Sequence, residues 1–524
     1  TPVHHAYRDL ASDLQLSFHT EMPNGTYQKL PLAASKEQDG NDTFISDTQP
    51  EFGLLQARNS EDLARSGLSQ PPDAFEELEI GDTDPDLAPP GTLNMRMAFM
   101  NMANLILGAG IIGQPLAMKN AGLVGGVLAM ALLTFLIDWT LRLIVVNAHM
   151  SRTRSYQDTV SACYGRWGRY LLLASISLFA YGGCMAFCVI IGDTIPHVLT
   201  LMLPTSVTGS ELFGWLFKRN VIIVVFTACI LYPLLLNRDI SKLARASGFA
   251  LVGMAVIVVV TLVRGPMADA ELKAPLTHAE RFVNKNLFQG ISVISFALVC
   301  HHNTLFIYLS IKNASTQKFA TLTHWACGVL MCFCLLMGVP GLINFGDNIK
   351  GNILNNFRSD DAWANVARFC FGLNMLTTFP LEIFVVRDVL KDIVLAGTLS
   401  LAGSTAHLEL SHKQHYFITT ILVFSSMSVS LFTCNLGMIL ELIGATSASL
   451  MAYIIPPLCY LKLSWDSFDA KAAARNENLQ FFFAKALPCI SCTLFGVAIM
   501  VISSSMTIRD SMRNGGTDSH CVSE

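Results

Sequence analysis

The sequence predicts an all-α polytopic membrane protein with about 11 transmembrane helices. Three observations predict it. Of 524 residues, 52% are hydrophobic and only 14% are charged, whereas soluble domains run near 25% charged. The mean hydropathy is +0.46, which over this length needs many buried apolar segments. From about Met97 to about Met506, apolar runs of membrane-spanning length recur. A soluble chain of this size would instead divide into domains with polar surfaces. The formal net charge is −4, so nothing points to nucleic acid.

The apolar residues are unevenly spread. Residues 1–96 are polar and acidic, with Gln70-Pro71-Pro72-Asp73 and Phe75-Glu76-Glu77-Leu78-Glu79 among turn-formers. Such a segment buries too little apolar area to offset the entropy of ordering. It is expected to be a disordered acidic cytosolic tail, either simply solvated or docking a regulatory partner. The membrane domain is expected over 97–505 and a short C-terminal tail over 506–524. The sequence starts at Thr1 with no charged-then-apolar secretory signal, and its extreme N-terminus is expected to be incomplete.

A hydrocarbon core about 30 Å thick takes roughly 20 apolar residues per helix. The candidates are 97–116, 122–148, 169–203, 220–236, 241–263, 287–309, 321–344, 364–390, 414–433, 436–461 and 481–505. With the N-terminal tail in the cytosol, basic residues such as Arg152, Arg154, Arg166, Lys462, Lys471 and Arg475 fall on the inner side, as the positive-inside rule asks. The sequons at Asn24, Asn41 and Asn313 fall inside as well, and none falls in an outer loop. Most of the 14 Cys lie in apolar runs, where Cys acts as a small hydrophobe. Cys489 and Cys492 form a CxxC without the second pair that zinc would need. Cys332 and Cys334 fall on two sides of one helix.

The first apolar segment contains Gly108-Ala109-Gly110-Ile111-Ile112-Gly113-Gln114-Pro115. Three glycines and a proline so close together disfavour a continuous helix. A membrane tolerates loose backbone only where it lines a protein cavity, and a break there frees N–H and C=O groups to hold a carboxylate and a cation. The alternative is a small-residue packing face. The sixth segment carries Ser292, Ser295, His301, His302 and Asn303 in an apolar run. Ionisable groups at that depth suggest function, although two histidines at a helix end with satisfied hydrogen bonds would look the same. This run has no central glycine, so a break is less expected. Interruptions in the first and sixth segments would suit two five-helix halves of inverted topology.

Asp138 and Arg142 stand four apart on the second helix, which suits a structural ion pair. Asp193, Glu382 and Glu441 lie in or near apolar runs and are candidates either for relaying protons or for capping and pairing. Asn374, Thr377 and Thr378 place neutral oxygens beside Pro380, a set that suits a small cation or the backbone. No nucleotide-binding Gly-Lys loop, zinc motif or Ser–His–Asp order is present, and the ionisable groups are scattered in depth. An enzyme is therefore not expected.

These motifs together resemble the amino acid/auxin permease family. The resemblance lies in Asn101-Met102-Ala103-Asn104 with Gly108 to Pro115; in Phe296, Val299-Cys300-His301 and Leu305-Phe306-Ile307-Tyr308; and in Thr377-Thr378-Phe379-Pro380. It continues in Leu436-Gly437, Leu442-Ile443-Gly444-Ala445-Thr446 and Ile455-Pro456-Pro457. Asp138-Trp139-Thr140 and Gly165-Arg166-Trp167-Gly168 are similar to the fungal vacuolar amino acid transporters. The sodium-coupled neutral amino acid transporters of animals form the other similar branch.

The resemblance implies a LeuT-like 5+5 inverted repeat plus one helix, and secondary transport of an L-amino acid, neutral in side chain, by alternating access. It implies no cofactor, only a coupling ion, H+ or Na+. Substrate is expected at Gly108, Ala109, Gly110, Ile111, Ile112, Gly113, Ser295, Phe296 and Ala297. Ion coupling is expected at Asn104, Thr377, Thr378 and His301, with sodium at the first three in the sodium-coupled branch. Protons are the favoured ion and His301 the first proton candidate. The loop 264–287 lacks Cys and sequons, which favours a vacuolar or lysosomal membrane over the plasma membrane. The other functional class is a transporter-like amino acid sensor that signals through its N-terminal tail.

Overall fold

The computed structural model describes residues 91–106, 108–204, 214–236, 247–402, 411–433, 435–472 and 481–513, without the side chains of 109, 247–250, 394–402 and 466–472. The tail expected over 1–96 lies almost wholly outside these residues, as do the sequons at Asn24 and Asn41, the positions 241–246, Cys434 and residues 514–524. Among the described residues the chain is almost entirely helical, and its one β-type pairing is a parallel bridge between Leu93 and Ile311.

The first span is two helices, α1 (Met95–Ile106) and α2 (Gln114–Ala121), joined through a tight turn at Ala109–Gly113 and bent by 52°. Then come α3 (Leu123–Ser151), α4 (Tyr156–Met202), α5 (Arg219–Leu236) and α6 (Ser247–Arg264). The sixth span is again two helices, α7 (Leu287–Leu298) and α8 (Thr304–Ser310). The remainder are α9 (Thr316–Phe345), α10 (Ala362–Ala402), α11 (His412–Phe432), α12 (Leu436–Trp465) and α13 (Phe482–Arg513).

All of the expected segments fall on these helices, yet the expected count of 11 is not reached. Among the described residues, nine helices are long and apolar enough to cross a membrane, ten with the bent first pair. The shortfall is α6, whose apolar stretch Leu251–Arg264 is short; its expected beginning lies outside the described residues. Several helices overrun their apolar runs, α10 continuing to Ala402 past 390 and the last part of α12 to Ala472 past 461. In α4, Gly165 adopts φ 65°, so the stretch from Tyr156 forms an arm ahead of the expected span at 169–203. In α13 the helix continues to Arg513, past the expected boundary at 505.

Helix α4 packs along α10, and α3 packs against α7 and α9. The α7–α12 crossing is so close that a Cβ at Gly444 would lie 1.9 Å from the Ser292 carbonyl oxygen. Polar side chains fasten the ends. The buried Arg368 guanidinium donates to the carbonyls of Leu354 and Phe357, both at 2.8 Å, and so fixes the loop ahead of α10. Asp193 on α4 pairs with Arg219 on α5 at 3.1 Å and accepts from Asn355 at 3.0 Å. Asp138 meets Arg142 at 2.9 Å, as its spacing suggests, and also His324 on α9 at 3.0 Å.

Asp361 caps α10, accepting from the N–H groups of Trp363 and Ala364 at 3.0 and 3.1 Å, and pairs with Arg264 at 2.8 Å. Burial alone would push its carboxyl up, but the Arg264 hydrogen bonds and the two N–H groups outweigh burial and hold it below the usual carboxylate range. A depressed folded-state pKa contributes stability above the unfolded value, about 3.9, that is lost as pH falls through the lower folded one. Asp361→Ala is expected to cost about 0.5–2 kcal/mol through the lost cap. Melting curves should show a gap from the parent protein that is steady at neutral and mildly acidic pH. The gap should close only below about pH 4, where the parent's carboxyl also protonates.

Candidate functional site

The two interrupted spans meet in the interior. Gly108 leads into the turn Ala109–Gly113, whose first N–H groups have no partner within the turn. The carbonyl of Gly110, freed from regular helix, accepts from the Gln114 side chain at 2.9 Å. In the sixth span the helix ends at Leu298; Val299 is extended (φ −82°, ψ 118°), and His301–Asn303 form a tight turn before α8. The sixth span is thus broken although it has no central glycine, where the sequence makes a break the less expected of the two. A β-branched residue in extended conformation and a histidine bonded to another helix do the work that glycine does in the first span.

The two breaks touch through backbone. A Cβ at Gly110 would lie 2.5 Å from the Cα of Ala297 and 3.1 Å from its nitrogen, so only glycine allows this approach.

A cavity opens beside the contact. The first span contributes Asn104, Leu105, Ile106, Gly108 and Gly110; the sixth contributes Phe296, Val299, His302 and Asn303. Helix α4 adds Phe179, Gly183 and Phe187, and α10 adds Thr378, Leu381 and Glu382. Phe179 is the aromatic hub, 5.2 Å from the Phe296 ring and 5.7 Å from that of His302. The walls are thus mostly apolar, with two carboxamides, one hydroxyl, one imidazole and one carboxylate facing inward.

The sequence-derived candidates divide. Gly108, Gly110 and Phe296 line the cavity, and so do Asn104 and Thr378. Ile111, Ile112 and Gly113 are buried within the turn but do not line the cavity; a Cβ at Gly113 would meet Leu440 at 2.7 Å and Val293 at 3.3 Å. Ala297 supports Gly110 from behind, and the side chain of Ala109 lies outside the described residues. The Ser295 hydroxyl donates to the Ile291 carbonyl at 2.8 Å and pairs with the Tyr453 hydroxyl on α12 at 3.0 Å. Thr377 donates to the Asn374 carbonyl at 2.8 Å. Thr378 donates to that carbonyl at 3.0 Å and meets the Asn374 side-chain oxygen at 3.1 Å. Of the oxygens suited to sodium, Asn104 and Thr378 therefore share the cavity wall.

His301 is fully buried and faces away, with Nε2 2.9 Å from the Thr140 hydroxyl of α3. The cavity histidine is His302. Glu382 also lines the cavity, and its Oε2 is buried with no hydrogen-bond partner. One signal in the sequence pointed to it: Glu382 stands four residues after Thr378, on the same helix face. Glu441 is held outside the cavity. It accepts from Asn120 at 2.7 Å, Thr507 at 3.1 Å and Gln289 at 3.3 Å.

The family described as transmembrane amino acid transporter protein matches residues 91–509. The chain belongs to this family. It is 48% identical over 429 residues to vacuolar amino acid transporter 2 of Saccharomyces cerevisiae, covering 82% of this chain and 86% of that one. It is 28% identical over 368 residues to sodium-coupled neutral amino acid transporter 7 of Xenopus laevis, covering 69% of this chain and 80% of that one. Among solved structures, MhsT in complex with L-phenylalanine superposes with a TM-score of 0.45 and 12% identity, over 81% of this chain and 99% of that one. That overlap assigns neither ligand nor coupling ion. The family's members are transporters rather than enzymes, and the chain is a multi-span membrane protein.

Gly108 and Gly110 are separable by experiment. Nothing lies within 4 Å of a Cβ at Gly108. Gly108→Val is therefore expected to fill the cavity and abolish uptake while the melting temperature stays near that of the parent. Gly110→Val drives a side chain into backbone, and such overpacking costs about 1–3 kcal/mol. It should lower the melting temperature as well as uptake.

Proposed function

We propose that this protein is a secondary active transporter of L-amino acids with neutral side chains, working by alternating access across a vacuolar or lysosomal membrane and coupled to a monovalent cation. The observation that carries the reading is the cavity between the two helix breaks. Free N–H groups at the start of the first break suit a substrate carboxylate. Phe179, Phe187, Phe296 and Leu381 give an apolar surface for a side chain. Asn104, Asn303 and Thr378 offer oxygens to the ammonium group or to the coupling ion. The vacuolar assignment rests on the yeast relative's name and on a loop at 264–287 without Cys or sequons.

Alternating access fits this architecture. Gly110 and Ala297 tie the breaks together, so the first and sixth spans would move as one body against the α4 and α10 walls. In the inverted-repeat arrangement that the family resemblance implies, five helices would mirror five, and rocking of one set against the other would open the cavity to each side in turn.

Purified protein in liposomes, given a panel of labelled amino acids under imposed pH or sodium gradients, tests the reading. Saturable uptake of neutral L-amino acids, with the D-enantiomers excluded and accumulation following one of the two gradients, is the expected result. Uptake that merely equilibrates under both gradients would make the protein a facilitator instead.

A further inference from the structure

We propose that Glu382 is the group that carries the coupled proton, taking it up and releasing it through the substrate cavity. The proposal rests on the transport reading above and assigns its ion and its residue.

Three other carboxylates on the described spans are met by donors, although Asp138, paired through Oδ2, also leaves its buried Oδ1 without a hydrogen-bond partner. Asp138 meets Arg142 and His324, Asp193 meets Arg219 and Asn355, and Glu441 receives Asn120, Gln289 and Thr507. Glu382 differs: it borders the cavity and its buried Oε2 has no partner. Opposite, Gly183 leaves it room, since a Cβ there would lie 3.9 Å from the Glu382 Cγ. The titratable groups around it are few. The buried Cys184 thiol follows Gly183 on α4, and His302 borders the same cavity from the sixth span. The nearby cation on its own helix, Arg387, is turned to Phe384, His415 and Thr419. Arg264, from the α6 side, is engaged by Asp361.

A bare carboxylate in a closed, membrane-embedded cavity is strongly disfavoured unless a cation neutralises it. Neutralisation and closure are therefore linked, which is the requirement of a coupled transporter. A sodium ion needs a shell of several oxygens; the cavity holds those of Asn104, Asn303 and Thr378, but the Thr378 hydroxyl is engaged by Asn374 and α4 adds only Phe179, Gly183 and Phe187 on the facing wall. A proton needs one oxygen. The cycle balances: hydronium on the side of higher proton activity gives H+ to the carboxylate, the loaded cavity reorients, and the carboxylic acid returns H+ to water on the other side.

The test uses the full-length protein in liposomes and an amino acid that the parent transports. The parent is expected to accumulate it against its gradient under an imposed pH difference, without sodium, and its substrate exchange should vary with pH. Glu382→Gln, a permanent mimic of the protonated form, should lose accumulation, and its exchange should become insensitive to pH. Glu382→Asp should restore part of both. Wild-type accumulation by Glu382→Gln under the pH gradient would overturn the proposal. So would accumulation by the parent that follows sodium and ignores pH. Loss of ligand-induced thermal stabilisation in a folded Glu382→Gln would overturn it as well, because the carboxylate would then hold substrate. A parent inert to every amino acid tested would sink the transport reading itself, before any variant is compared.

Discussion

The two broken spans touch backbone to backbone at Gly110 and Ala297, and much of the structure follows from that contact. Hydrocarbon gives unpaired N–H and C=O groups no partner, so irregular backbone survives only inside protein. The breaks must then be enclosed. Helices α3, α4 and α10, together with α12, supply the enclosure. Gln114 answers the Gly110 carbonyl, and the tight crossing of α7 with α12 at Gly444 holds the sixth span in register. The cavity is the space left because two interrupted helices cannot pack as two continuous ones would.

The same constraint governs charge. Ionisable groups are costly at membrane depth, and the carboxylates at Asp138, Asp193 and Glu441 are each met by donors from another helix. These links fasten α3 to α9, α4 to α5 and α2 to α12. Glu382 receives no such link at Oε2. A buried group left open in this way contributes nothing to fastening helices and stays free to exchange with whatever enters the cavity.

Two parts of the site were legible in the sequence to different degrees. Glycine and proline mark a helix break directly, because they act on the residue's own backbone, and the first span broke where Gly108 to Pro115 indicated. The sixth broke without glycine, and the contact beside its interruption, His301 to Thr140, spans 161 positions of sequence. The two histidines illustrate the limit. Adjacent residues in a turn point in different directions, and nothing local says which direction is the cavity; His302 faces it and His301 does not. Ser295 likewise lies one residue from Phe296, yet it turns to Tyr453 while Phe296 turns to the cavity.

The sequence by itself determined the membrane class, the position of nearly every span, the family and the first break. Each depends on composition, run length or a local backbone preference, which a chain carries wherever it sits. Only the tertiary structure decided which side chains share the cavity: Asn104 with Thr378, His302 in place of His301, and Glu382 rather than Asp138, Asp193 or Glu441. Those outcomes depend on how helices distant in sequence are rotated about their axes. That rotation is set by close packing at glycines such as Gly110 and Gly444, whose neighbours no local pattern names.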